Sequence, residues 1–219
     1  YEISDYDYIA GLKSFQDGMY QIQDISSMLA GEYTAPKAGD TIVDVCGAPG
    51  GKSINAALKM SEQGDCGRVI ARDLSDYKVA LIDENIKRLN ITNIQTQVYD
   101  ALDCDESLIN KADIVIADLP CSGLGIIGRK PDIKYNASPE KLQSLVDLQR
   151  DILKVVSRYV KSGGVLMYST CTINRAENED NADWICKESG FTKDGEYHQL
   201  LPANNSGMDG FFVARLIKS

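Results

Sequence analysis

Between residues 41 and 118 four short apolar runs alternate with helical stretches, and the last three of these runs end on an aspartate or run straight into one. The runs are 41–46, 68–73, 94–99 and 113–118, with Asp73, Asp100 and Asp118 at the exits of the last three. The first leads into the glycine-rich turn Gly47-Ala48-Pro49-Gly50-Gly51-Lys52. Strands that alternate with helices predict an α/β fold, a parallel sheet covered on both faces. Helices are expected over 51–60, over 76–90, where Val79, Ile82, Ile86 and Leu89 share one face, and over 176–188. Ser138-Pro139-Glu140 reads as a helix start, with the helix running to Val160 and stopped by Ser162-Gly163-Gly164 before a fifth strand at 165–169. A last strand covers 211–217. Residues 1–40 are less periodic and read as an N-terminal cover, with a short helix near 25–32, packed on a main domain of residues 41–219.

Composition narrows the class. With 219 residues, 43% hydrophobic and 25% charged, the chain has the make-up of a globular domain rather than a disordered one. It shows no apolar run of the roughly 18 residues needed to span a bilayer and no basic-then-apolar opening. Starting on Tyr1 rather than Met, it reads as a piece of a longer protein. Cys46, Cys66, Cys104, Cys121, Cys171 and Cys186 are widely spaced with no CxxC pair, and His198 is the single histidine. That argues against a metal site or a disulfide scaffold, and for free thiols in a reducing, cytoplasmic compartment. The net charge of −9 argues at first against a polyanion partner, yet residues 120–175 carry nine positive and four negative side chains. Such asymmetry suits a solvated helix face or a surface turned toward nucleic acid.

In open α/β sheets ligands bind outside the carboxyl ends of the strands. The turn after residue 46 brings backbone close to a ligand and offers helix N–H groups to it. Gly51-Lys52-Ser53 matches the tail of a P-loop, but that motif needs glycine where Cys46 stands. An aspartate ending the second strand suits a ribose diol. Cys121 follows the fourth strand in Asp118-Leu119-Pro120-Cys121-Ser122-Gly123, and Cys171 follows the fifth in Ser169-Thr170-Cys171-Thr172. Neighbouring strands lie about 4.8 Å apart, so if these two pair, both thiols converge on one pocket. A lone cysteine is more often a small buried hydrophobe than a nucleophile, and Cys66, Cys104 and Cys186 are given that reading. His198 is read as a surface residue and Trp184 as core.

The segments Asp44–Lys52 (DVCGAPGGK), Asp118–Gly123 (DLPCSG) and Ser169–Thr172 (STCT), with Asp73 between, resemble the Nol/Nop/Sun family of RNA 5-methylcytosine methyltransferases. Gly18, Gln23-Asp24, Arg129-Lys130-Pro131-Asp132 and Asp209-Gly210-Phe211-Phe212 extend the similarity over nearly the whole chain. The resemblance implies a class I S-adenosylmethionine-dependent methyltransferase fold, Rossmann-like, with a seven-stranded, mostly parallel sheet whose last strand is antiparallel. It implies S-adenosyl-L-methionine as cofactor, wrapped by Cys46, Gly47, Ala48, Pro49, Gly50, Gly51 and Lys52, with Asp73 at the ribose and Asp100 at the adenine. Asp118 would stand between cofactor and target base. Cys171 would be the nucleophile and Cys121 the residue that releases product. The implied partner is RNA, small-subunit ribosomal RNA, held in part by Arg129, Lys130 and Lys134, with the enzyme a monomer. Gly47 stands where members commonly have alanine and Lys130 where histidine is common. The N-terminal RNA-recognition region usual in the bacterial enzymes is not in this sequence.

The chemistry explains the residue types. A thiolate adding to carbon 6 of cytosine turns carbon 5 into a competent nucleophile, which splits one hard step into two easier ones. Asp118 is the candidate donor near ring nitrogen 3 if its pocket lets it carry a proton. The DNA cytosine methyltransferases use the Pro-Cys after strand 4 as nucleophile, so the two thiols could exchange roles; only the family resemblance favours Cys171. A P-loop-like nucleotide hydrolase and a non-catalytic RNA-binding module are the alternatives.

Overall fold

The computed structural model describes residues 5, 7–64, 67–202 and 208–219. Cys66, Tyr1 and Tyr6 lie outside the described residues. In chain order the elements are α1 (Lys13–Gln16), α2 (Ile25–Thr34), β1 (Thr41–Asp44), α3 (Gly51–Glu62), β2 (Arg68–Asp73), α4 (Asp76–Leu89), β3 (Ile94–Val98), β4 (Ala112–Asp118), α5 (Ile133–Asn136), α6 (Pro139–Val156), β5 (Val160–Thr170), α7 (Glu179–Ser189), β6 (Phe191–Lys193), β7 (His198–Leu200) and β8 (Phe211–Lys218). The sheet order is β3-β2-β1-β4-β5-β8-β6, with β7 also on β8. β1 to β5 pair in parallel, while β8 is antiparallel to β5, β6 and β7. The order reverses at β1, which pairs β2 on one side and β4 on the other. The crevice beyond the carboxyl ends of β1 and β4 is therefore where such a sheet binds its ligand.

Alternate residues along each strand feed two cores. Val43, Val115 and Leu166 pack on one face with Ile152, Leu153 and Val156 of α6 and Ile185 of α7. Ile42, Ile114, Ile116 and Met167 pack on the other with Ile54, Ala57 and Met60 of α3 and Ala30 of α2. The helices start where their capping residues dictate. The Ser75 hydroxyl accepts the Lys78 N–H ahead of α4, and the Ser138 hydroxyl accepts the Lys141 N–H ahead of α6, which has Pro139 in its first turn. Asn90 closes α4 in the left-handed conformation.

Three expectations need correction. The helix expected to reach Val160 ends at Val156, and Ser162-Gly163-Gly164 lies inside β5 rather than stopping a helix. Ala112 pairs Val160 but Ile114 pairs Val165, so β5 bulges between these two points. Glycine is needed there, because Gly163 has φ +72° and a Cβ on Gly164 would lie 2.9 Å from the Asp113 carbonyl oxygen. The sheet also gains two short antiparallel strands, β6 and β7, which hydrogen-bond to β8. His198 lies on β7, half-buried, its ring stacked on Tyr33 at 4.2 Å. Trp184 packs against the α6–α7 core with Arg150 and Lys154 over its ring. Among the described residues no helix is long and apolar enough to cross a membrane, and no group of three or more His, Cys, Asp or Glu could hold a metal.

Candidate active site

A cleft of about 320 Å³ opens at the carboxyl ends of β1 and β4. It is lined by the turn residues Cys46, Gly47, Ala48, Pro49, Gly51 and Lys52, by Asp44, Asp118 and Cys171, and by Gln21, Gln23 and Ser27 from the segment ahead of β1. Gly50, Asp73, Asp100 and Cys121 lie outside this lining. Gly50 is in the left-handed region at φ +104° and turns toward Ile54 and Ile82, which swings the chain into α3. Asp73 fixes the turn's shape. Its carboxylate accepts the Ala48 N–H at 3.1 Å and the Leu74 N–H at 2.8 Å, and it pairs with Lys78 at 3.0 Å. Asp100 accepts the Leu102 N–H at 2.9 Å.

The pairing of β4 with β5, with Asp118 opposite Ser169, brings the two loops that follow side by side. Cys121 Sγ and Cys171 Sγ are 3.2 Å apart, and the Ser122 and Thr172 hydroxyls beside them are 2.7 Å apart. Asp118 accepts from Lys52 Nζ at 2.5 Å on one oxygen and from the Ser169 hydroxyl at 2.7 Å on the other. Lys52 also donates to the Ser27 hydroxyl at 3.1 Å and lies over the Phe211 ring. The thiols are electrically unlike. The Cys171 thiol is lowered from the ordinary thiol value by a hydrogen bond from Cys121 and by Lys52, against burial and the Asp118 charge. The Cys121 thiol is raised well above it by that same bond, by burial and by the charge on Cys171. Burial, then Asp44 and Asp73, push the Cys46 thiol far up, which makes it inert.

The expected RNA contacts are divided. Arg129 forms ion pairs with Asp24 and Asp209, tying the basic loop to the segments ahead of β1 and β8. Lys130 and Lys134 are exposed, with Lys134 over the Tyr135 ring. Sequence reasoning missed Ser27, Ser169, Gln149 and Glu177. Gln149 had a signal: it occupies the core-facing stripe of α6 between Val146 and Ile152, where an apolar residue is the rule.

The cleft fits a cationic nucleoside cofactor. Asp44 Oδ1 and Gln21 Oε1 are buried acceptors without a hydrogen-bond partner, in a cleft edged by a helix N-terminus. A Cβ on Gly47 would lie 3.1 Å from the Asp44 carboxyl carbon and Oδ2, and 3.4 Å from the open Oδ1. The fold and the cleft together are those of a class I S-adenosylmethionine-dependent methyltransferase. The chain belongs to the family described as 16S rRNA methyltransferase RsmB/F, whose profile matches residues 32–217. It is 38% identical to a probable ribosomal RNA small subunit methyltransferase B of Bacillus subtilis, covering 96% of this chain and 50% of that protein. It is 34% identical to ribosomal RNA small subunit methyltransferase B of Salmonella paratyphi B, covering 96% and 49%. The chain thus spans about half the length of the curated relatives it matches. Among solved structures it is similar to PH0851 (TM-score 0.89, 30% identity, 98% of this chain and 50% of that one). It is also similar to NSun6 from Pyrococcus horikoshii solved with SFG (TM-score 0.85, 28% identity, 97% and 56%).

Asp44 carries a prediction. Burial raises its carboxyl from 3.8 to about 6, against the Ser53 hydroxyl and Lys52. An acid raised on folding contributes stability that is fully present below its unfolded value and lost as pH rises through the folded one, here from about 4 to about 6. Binding of a cation at Asp44 runs the opposite way, because it needs the charge. Affinity for S-adenosylmethionine should fall as pH drops through about 6. Asp44→Asn should weaken it by about tenfold to a hundredfold, the worth of a charged hydrogen bond, and remove that pH dependence. Calorimetric titration from acid to neutral pH checks this; a variant that binds like the unmutated chain would place the cation elsewhere.

Proposed function

We propose that the chain transfers a methyl group from S-adenosylmethionine to carbon 5 of a cytosine in RNA, with small-subunit ribosomal RNA as substrate, through a covalent bond between Cys171 and cytosine. The observation that carries this is the 3.2 Å pair of thiols at the tips of β4 and β5, with Cys171 facing the cleft and Lys52–Asp118 beside it. The cofactor, when bound, supplies an electrophilic methyl group; Cys46 to Lys52 wrap it, and Asp44 and Gln21 offer acceptors to it. The pyrimidine must leave its stack to reach such a pocket.

Cys171 acts first, as a thiolate adding at carbon 6. Ring electrons shift toward nitrogen 3, and the Lys52 ammonium passes a proton to that nitrogen through the Asp118 carboxylate it contacts. Carbon 5 then takes the methyl group. For release, the carbon 5 proton must leave and the carbon–sulfur bond must break. Cys121 serves here, directly or through a water it positions. Before addition, the hydrogen bond and charge of Cys171 keep Cys121 protonated. Once Cys171 is a neutral thioether both influences vanish, so Cys121 gives its proton to solvent more readily and its thiolate is then free to take the carbon 5 proton. Lys130, Lys134 and Arg129 line the approach for the RNA backbone, with Arg129 exchanging its carboxylate partners for phosphate.

The test is methyl transfer itself. Unmodified small-subunit ribosomal RNA, incubated with the chain and methyl-labelled cofactor, should yield label in 5-methylcytidine after digestion to nucleosides. Label confined to another base or to ribose would defeat the reading.

A further inference from the structure

The thiol assigned to release sits on a loop with no regular secondary structure, yet one buried side chain reaches that loop from the far side. Glu177, just ahead of α7, is fully buried. Its Oε2 accepts the Ser122 N–H at 2.8 Å and the Gln149 Nε2 at 3.0 Å, and its Oε1 accepts Asn174 Nδ2 at 2.9 Å. Gln149 Nε2 donates as well to the Pro120 carbonyl at 2.8 Å. Asn181 Nδ2 donates to Gln149 Oε1 at 2.8 Å, which fixes which end of that amide faces Pro120. The peptide groups on either side of Cys121 are thus both held by one Glu–Gln pair. Cys171 has a different anchor, its carbonyl accepting the Gly125 N–H at 3.1 Å.

A buried polar network of this kind is costly unless each member is satisfied, and here three donors converge on one acceptor-only group. A glutamine in its place would present an N–H to one of those donors. An apolar pair would fill the same space at lower cost, so packing alone does not account for a carboxylate here. Ser122, held directly, and Pro120, held through Gln149, are the two residues that flank the release thiol.

We propose that Glu177 is a positioning residue for Cys121: through Ser122 and Gln149 it holds the second thiol where it serves product release, and it leaves addition by Cys171 untouched. This rests on the covalent reading above. Removing the clamp therefore slows breakdown of the protein–RNA bond, not its formation.

The experiment follows the covalent adduct over time. The unmutated chain, Glu177→Gln, Glu177→Asp, Asn174→Ala and Cys121→Ala are each mixed with S-adenosylmethionine and unmodified small-subunit ribosomal RNA, then quenched onto denaturing gels. Displacing a catalytic group by about 1 Å costs on the order of a hundredfold, so Glu177→Gln should release product about tenfold to a hundredfold more slowly while addition stays within about threefold. Glu177→Asp, which restores an acceptor, should recover part of the loss. Asn174→Ala removes the outer donor to Glu177 along with the acceptor of the Ala176 N–H, and should slow release by a few-fold; it decides the matter if Glu177→Gln does not fold. The proposal is overturned if Glu177→Gln loses addition and release in parallel or releases at the unmutated rate. With Glu177→Gln unfolded, normal release in Asn174→Ala overturns it too. Failure of Cys121→Ala to accumulate any adduct would instead strike at the covalent reading itself.

Discussion

Cys171→Ala is expected to abolish both methyl transfer and the covalent protein–RNA bond, lowering the rate by about three orders of magnitude or more, as removal of a nucleophile does elsewhere. Cys121→Ala should do the reverse and accumulate that bond. The electrostatics separate the two thiols before any substrate arrives. The thiolate is the reactive form, and only Cys171 is lowered. It also lines the cofactor cleft, whereas Cys121 opens onto a neighbouring hollow of about 200 Å³ between Ser122, Ile133 and Leu142. The hydrogen bond from Cys121 is the foremost lowering influence on Cys171. Losing it in Cys121→Ala should therefore raise the Cys171 thiol, and iodoacetamide should alkylate Cys171 with a pH profile moved to higher pH. An adduct that forms in Cys171→Ala and not in Cys121→Ala would exchange the roles.

Most of the sheet was legible because its signals are local. Strand-length apolar runs, Ser75 and Ser138 as caps, and the glycines after residue 46 each act within a few residues. The thiol pair was legible by one further step, since parallel neighbours must place their exits together. What escaped needed tertiary knowledge. The bulge in β5 depends on how Val160 and Val165 meet β4, which no single segment encodes. The ion pairs of Arg129 join residues 105 and 80 positions away, so a basic loop looked simply like an RNA contact. Asp118 could be placed at a strand end, but its partners Lys52 and Ser169 come from α3 and β5. Glu177 reads as one more acid at a helix start, because its burial and its grip on Ser122 arise only when the β5–α7 connection folds back over the Cys121 loop.

Gly125→Ala should disable the site from behind. Three segments cross at this residue: its N–H donates to the Cys171 carbonyl at 3.1 Å, and its own carbonyl accepts the Gly210 N–H at 2.8 Å. An added Cβ would lie 2.2 Å from the Gly210 carbonyl oxygen and 2.8 Å from that of Cys171. These are backbone atoms with no rotamer to give way, so the chain itself must move. Overpacking costs about 1–3 kcal/mol, a fall of roughly 2–12 °C in melting temperature at about 2–4 °C per kcal/mol for a domain of this size. The displaced groups carry the nucleophile, so adduct formation should fall by about a hundredfold, well beyond what the stability loss explains. Gly128→Ala is the matched control. It lies three residues on in the same loop, exposed, and its Cβ would meet nothing within 4 Å. Thermal melting and single-turnover adduct formation on both variants separate a steric effect at the crossing from a general need for glycine in the loop. If Gly125→Ala melts and reacts as Gly128→Ala does, the crossing does not set the position of Cys171.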